Sequence, residues 1–180
     1  TRLLKIGLIS TDFCRHAVSY FVEPLLEQWD RQKLTITLYA CGERFDDYSA
    51  RLQAKADRWV NLHGQSDEAC VRQILQDEID ILIDLAGHTA GNRLALFGTK
   101  AAPIQATYLG YYGTTGLNQV DYWITDAMLH PPPPQLASPA GHELARAFVH
   151  RTVAQTSLDN LPRCHAHAGS RTCGFRVRRP

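Results

Sequence analysis

Three short stretches of this sequence combine histidine, carboxylate, hydroxyl and glycine in ways that suit an oxygen-rich ligand. The first is Ser10-Thr11-Asp12-Phe13-Cys14-Arg15-His16. Asp12 and His16 stand four apart, so a turn can bring both to one site. Histidine as a residue type titrates near neutrality and can donate to a sugar or phosphate oxygen or move a proton. The plain alternative is that Asp12 caps a following helix and His16 is merely exposed. Spacing alone favours that alternative. The second stretch is Asp84-Leu85-Ala86-Gly87-His88-Thr89-Ala90-Gly91-Asn92-Arg93. Its two glycines allow close backbone approach to a ligand, and His88, Thr89 and Arg93 supply donors. The alternative is a tight turn before a capped helix. The third is Leu109-Gly110-Tyr111-Tyr112-Gly113-Thr114-Thr115-Gly116. Three glycines give a loop rich in accessible backbone N–H groups with aromatic flanks, which suits a sugar or diphosphate. Its alternative is a flexible loop.

Several familiar chemistries are excluded. The glycine spacing is not the dinucleotide fingerprint, and no Walker lysine follows a glycine-rich turn. No zinc-protease, nucleophile-elbow or paired-carboxylate hydrolase pattern is evident. The five cysteines, Cys14, Cys41, Cys70, Cys164 and Cys173, form no CxxC pair. A disulfide framework or zinc site is therefore not expected, and a reducing cytoplasm fits best. Cys41 and Cys70 read as buried packing residues.

The elements that must position these stretches alternate between strand and helix. Strands are expected at Leu3–Ser10, Leu34–Cys41, Trp59–Leu62, Ile79–Leu85, Pro103–Leu109 and Asp121–Thr125. Helices are expected at Ser19–Trp29, where Pro24 is tolerable if it lies in the first turn, at Asp46–Asp57, and from an N-cap at Ser66. Strands joined by single helices imply right-handed crossovers and a Rossmann-like, mostly parallel α/β sheet. Ligands of such sheets bind at the carboxyl ends of the strands, where all three stretches lie.

The chain has 180 residues and a net charge of +1, distributed unevenly. Residues 1–134 hold 12 Lys or Arg against 16 Asp or Glu, and residues 135–180 hold 7 Arg against 2 acids. The basic end lacks interleaved aromatic residues and period, so nucleic-acid binding is not expected. No apolar run is long enough to cross a membrane, and the first ten residues do not form a signal peptide. The pattern breaks near His130, where Pro131–Pro134 imposes an extended segment. A short helix at Leu144–Val149 is the only periodic feature beyond it.

The stretches LLKIGLISTDFCRHAVSYF, IDILIDLAGHTAGNRLALFGTKAAPIQATYLGYYGTTG and VDYWITDAMLHP resemble, in family order, the catalytic region of the O-linked N-acetylglucosamine transferases and SPINDLY-type proteins. The resemblance covers about residues 2–131. It implies the first lobe of a two-lobed GT-B glycosyltransferase, so residues 1–131 are expected to form that lobe and 132–180 an irregular basic tail, frame-shifted or otherwise aberrant. It also implies an inverting, metal-free hexosyl transfer, with no cofactor, from UDP-N-acetylglucosamine to Ser or Thr hydroxyls of proteins. His16 matches the family histidine beside the sugar nucleotide. Asp12 matches an aspartate considered as a proton acceptor, and the resemblance does not choose between the two as base. Leu109 and Gly110 match the segment lining the sugar pocket, and Tyr112 stands where that segment has proline, which would loosen the loop and crowd the sugar. Ala17 and Val18 replace the Pro and Thr of animal members, leaving the donor open.

Neither the second lobe nor the tetratricopeptide repeats of the family lie in these residues. A complementary lobe or a repeat-containing chain is therefore an expected partner, and the isolated chain is expected to be inactive or nearly so. Two other readings stay open: a non-catalytic Rossmann-like binding or interaction module, and a different sugar-nucleotide enzyme of the 2-epimerase kind, against which the three loops argue.

Overall fold

The computed structural model describes residues 2–126 and 175–178. Six strands and four helices follow one another in these residues before a last strand. They are β1 (Leu4–Ser10), α1 (Ala17–Gln28), β2 (Leu34–Ala40), α2 (Asp47–Lys55), β3 (Arg58–Asn61), α3 (Asp67–Gln76), β4 (Ile81–Asp84), α4 (Leu94–Phe97), β5 (Ile104–Tyr108), β6 (Tyr122–Asp126) and β7 (Phe175–Arg178). The sheet order is β3-β2-β1-β4-β5-β6-β7. All pairings from β3 to β6 are parallel, and β7 adds an antiparallel edge against β6. The order 3-2-1-4-5-6 is that of a Rossmann sheet, whose direction of winding reverses between β1 and β4. The sequence assigned no strand to residues 175–178.

The central strands are apolar on both sides because a parallel sheet is covered on both faces. Ile6 and Leu8 of β1 and Leu38 of β2 pack with Val18, Val22 and Leu26 of α1 and Leu52 of α2. Ile9 and Tyr39 point the other way, against Cys70 and Ile74 of α3 and Leu96 and Phe97 of α4. Tyr39 is fully buried, and its hydroxyl donates to Asp77 Oδ2 at 2.7 Å. Each of those large side chains contributes roughly 1.5–3 kcal/mol by leaving water. Cys41 and Cys70 lie inside this second layer as packing residues. Burial pushes the Cys41 thiol up to about 12 and raises Cys70 as well, which keeps both as neutral thiols.

Capping fixes where the helices start. Asp46 and Ser49 form a reciprocal capping box on α2, and the Ser66 hydroxyl accepts from the Ala69 N–H on α3. On α1 the expected start was two residues late. His16 caps it, so the helix begins at Ala17 and Pro24 falls well inside rather than in the first turn. The expected strand ends at Leu3, Cys41, Leu62, Ile79, Leu85, Pro103 and Leu109 lie just outside the ladders. The chain turns at those points to enter loops. No helix among the described residues is long and apolar enough to cross a membrane. The Pro131–Pro134 run, the Leu144–Val149 helix and the boundary at 131 lie outside the described residues.

Candidate active site

The strands β1, β4 and β5 are neighbours in the sheet, so the three chemically unusual loops leave one edge side by side. The first two flank the point where the winding reverses, the usual ligand crevice of this architecture.

The first loop is tied to the elements around it. Ser10 Oγ accepts from the Asp12 N–H at 2.9 Å, and the Asp12 carbonyl accepts from Ser19 Oγ at 2.9 Å. Ser49 Oγ donates to the Phe13 carbonyl at 2.7 Å, and the Arg15 N–H donates to Asp46 Oδ2 at 2.9 Å, so the cap of α2 also clamps this loop. The cap of α1 is His16, whose Nδ1 accepts from the Val18 N–H at 3.3 Å. Asp12 is not the cap, contrary to the simpler reading of the spacing. Its carboxylate oxygen lies 3.9 Å from His16 Nδ1, beyond hydrogen-bond reach. A ring nitrogen that accepts carries no proton, which places the proton of the neutral imidazole on Nε2. The His16 side chain is 48% exposed, so it offers that N–H outward.

A buried carboxyl governs the second loop. Asp84 ends β4 at 1% exposure. Its Oδ1 accepts from the Ala86 N–H at 3.1 Å, and its Oδ2 from the Gly87 N–H at 2.8 Å and Thr107 Oγ1 at 3.2 Å. Burial raises its pKa above the usual carboxylate range, and the three donors oppose that rise. A raised folded pKa means the neutral form is the better tolerated one. The Asp84 contribution to stability is therefore fullest below the unfolded carboxylate pKa and is lost as pH rises through the folded value. Comparing the pH dependence of urea unfolding in wild type and Asp84→Asn isolates it. We expect a falling wild-type component with rising pH that the variant lacks.

Gly87 follows with φ +55°, and a Cβ there would lie 2.3 Å from Tyr111 Cβ, so glycine permits both the turn and the contact. The donors expected of this loop are largely used internally. His88 Nε2 donates to the Thr114 carbonyl at 3.1 Å, and Thr89 Oγ1 donates to the Ala86 carbonyl at 2.9 Å. Arg93 turns away, donating to Asp67 Oδ1 at 2.9 Å at the start of α3, and so is corrected from a site donor to a packing cation. Asn92 Oδ1, not Arg93, takes the Leu94 N–H of α4.

The third loop docks on the second. Leu109 adopts φ +64°, and Gly110 lies so close to the second loop that a Cβ would stand 1.9 Å from the Leu85 carbonyl oxygen. His88, Tyr111 and Tyr112 form a column of rings with centroid spacings of 5.1 and 5.3 Å. Tyr112 ends it at 78% exposure, stacked on Tyr111. The first and second loops also touch, since a Cβ at Gly91 would come 3.2 Å from Thr11 Cγ2. The site thus gathers an outward imidazole N–H, a nearby carboxylate, close-approach backbone and an aromatic lip on one sheet edge. Sequence reasoning named His16, Asp12, His88, Thr89, Leu109, Gly110 and Tyr112 but passed over Asp84 and Thr107. An acid closing an otherwise apolar strand was the available signal.

A model of glycosyl transferase family 41 matches residues 1–153. The chain belongs to glycosyl transferase family 41. Over 135 residues it is 38% identical to a probable UDP-N-acetylglucosamine–peptide N-acetylglucosaminyltransferase SPINDLY of Arabidopsis thaliana, a match covering 73% of this chain and 15% of that protein. It is 34% identical over 134 residues to a UDP-N-acetylglucosamine–peptide N-acetylglucosaminyltransferase of Caenorhabditis elegans, covering 71% of this chain and 11% of that one. Among solved structures, a mutant Thermobaculum terrenum O-GlcNAc transferase aligns with TM-score 0.71 and 37% identity over 73% of this chain and 25% of that chain. This family 41 chain therefore spans about 15% of the length of the first of these relatives. The family and the Rossmann-like fold inferred from the three stretches are the ones observed.

Proposed function

We propose that this family 41 chain forms part of the donor site of a protein glycosyltransferase that moves N-acetylglucosamine from UDP-N-acetylglucosamine to a Ser or Thr hydroxyl. The observation that carries this reading is the convergence of the three loops at the carboxyl ends of β1, β4 and β5, across the reversal point. Leu109 and Gly110 bring backbone close to the sugar, Tyr112 forms its rim, and His88 and Thr89 hold the loops in shape. His16, with Nδ1 occupied by the helix cap, donates through Nε2 to an oxygen of the donor. In this reading Asp12, free of cap duty, takes the proton from the acceptor hydroxyl.

In the transfer, the hydroxyl oxygen attacks the anomeric carbon as the bond to the diphosphate breaks on the opposite face, inverting the centre. No metal or cofactor is required if cationic groups stabilise the leaving diphosphate. In this reading those groups belong to the complementary lobe of the family's catalytic region, and the acceptor protein is the expected partner. The setting is cytoplasmic, with neither nucleic acid nor membrane as partner.

Calorimetric titration of UDP-N-acetylglucosamine into the purified chain tests this. Binding should be measurable and should weaken roughly tenfold in His16→Ala, the loss of about one hydrogen bond. His16→Asn restores a good N-cap without the ring N–H, and should recover stability but not affinity. Absence of binding at millimolar ligand, or equal affinity in all three proteins, would contradict the reading.

A further inference from the structure

The second and third loops converge on one buried group. Asp84 is 1% exposed, and both its oxygens are committed: Oδ1 to the Ala86 N–H, and Oδ2 to the Gly87 N–H and to Thr107 Oγ1 of β5. Among the described residues no lysine or arginine side chain pairs with it. The register partners beside it, Ile9 of β1 and Thr107 of β5, do not ionise in the accessible range. Among the described residues the one titratable side chain whose charge acts on it is His88, from its own loop. A carboxylate with no cation, held by two backbone donors and a neighbouring strand's hydroxyl, costs more to bury than an apolar residue would. What it does is fix geometry. The two N–H bonds set the turn at Gly87, whose Cα is covered by Tyr111. The same turn aims His88 at the Thr114 carbonyl and at the Tyr111 ring. Gly110, for its part, sits on the Leu85 carbonyl, one residue beyond Asp84.

We propose that Asp84 is the positioning residue of this site, its carboxylate setting the second loop and, through Gly87 and His88, the third. It touches no reacting atom. Its effect passes through the backbone it holds, so Leu109 to Tyr112 should move when it is changed even though none of them bonds to it. The ligand arm of the test rests on the donor-site reading given above, and the spectroscopic arm does not.

Asp84→Asn keeps the size of the side chain but turns one acceptor into a donor that faces an N–H. Thr107→Val removes only the third donor and guards against a variant that fails to fold. Amide ¹H–¹⁵N spectra of the purified chain should show, in Asp84→Asn, shifts at Ala86 to Thr89 and at Gly110 to Thr114, with α2 and α3 unmoved. Thr107→Val should give smaller shifts at the same residues. In wild type the Gly87 amide should titrate with the Asp84 carboxyl, and in Asp84→Asn it should not. Affinity for UDP-N-acetylglucosamine should fall roughly tenfold in Asp84→Asn, as for loss of a buried hydrogen bond. Shifts confined to residues 84–87, with Gly110 to Thr114 unmoved, overturn the positioning role. If wild type takes up no UDP-N-acetylglucosamine, the donor-site reading falls, and the amide shifts still decide the role of Asp84.

Discussion

Replacing Gly110 by alanine is expected to separate the second and third loops and abolish the proposed donor site. The new methyl carbon would stand 1.9 Å from the Leu85 carbonyl oxygen, 2.7 Å from the Leu85 carbonyl carbon and 2.9 Å from Ala86 Cα. All three neighbours are backbone, in the segment that Asp84 holds, so no side-chain rotation relieves the clash. Overpacking of this kind costs about 1–3 kcal/mol when a site can shift and more when it cannot. The sheet itself is untouched, so the chain should remain folded while the loops part. The expected result is a melting temperature lowered by several degrees and no detectable heat of UDP-N-acetylglucosamine binding. A Gly110→Ala protein with wild-type affinity would show that the contact between these loops is irrelevant to the ligand.

Gln105→Leu is expected to have the largest effect on stability. Gln105 is fully buried in β5. Its Oε1 accepts from the Ala101 N–H at 3.0 Å, and its Nε2 donates to the Phe97 carbonyl at 2.8 Å and the Gln119 carbonyl at 2.9 Å. One side chain thus staples the end of α4, the turn at Ala101 and the return into β6. Both carbonyls have a second donor, from the Lys100 N–H and Lys100 Nζ respectively, so they lose one bond each. The Ala101 N–H loses its partner in a residue only 2% exposed. An orphaned buried donor and two lost hydrogen bonds together cost about 2–5 kcal/mol, a large share of the roughly 5–15 kcal/mol that holds a typical domain together. Chemical denaturation monitored by circular dichroism measures it. A change under 1 kcal/mol would mean that the three backbone groups find other partners.

These two residues also mark where sequence reasoning stops. Gly110 was legible as a candidate site residue because it stands in a glycine-rich stretch at a strand end. That its hydrogen faces the Leu85 carbonyl was not legible, because the contact joins two loops brought together only by the pairing of β4 with β5. Gln105 gave no signal at all: a polar residue inside PIQATYL reads as a blemish in a strand, and its three partners lie 4 to 14 positions away, at the end of α4 and in the loops on either side of β5. His16 was read as a candidate donor or base. Its spacing from Asp12 favoured Asp12 as the cap of α1; both lie ahead of the first turn, and loop packing gives the cap to His16.

The sequence by itself determined the alternation of strands and helices, the parallel sheet, the three loops and the family. Those follow from hydrophobic period and from residue types near one another in the chain, which local physics reads directly. The tertiary structure alone decided which donors remain free. It turned Arg93 to Asp67, tied His88 to Thr114, gave the cap to His16, and buried Asp84 where backbone from its own loop and a hydroxyl from β5 converge. Hydrogen-bond partners are settled by distance in space, and in a parallel sheet neighbouring strand ends are separated along the chain by a full crossover.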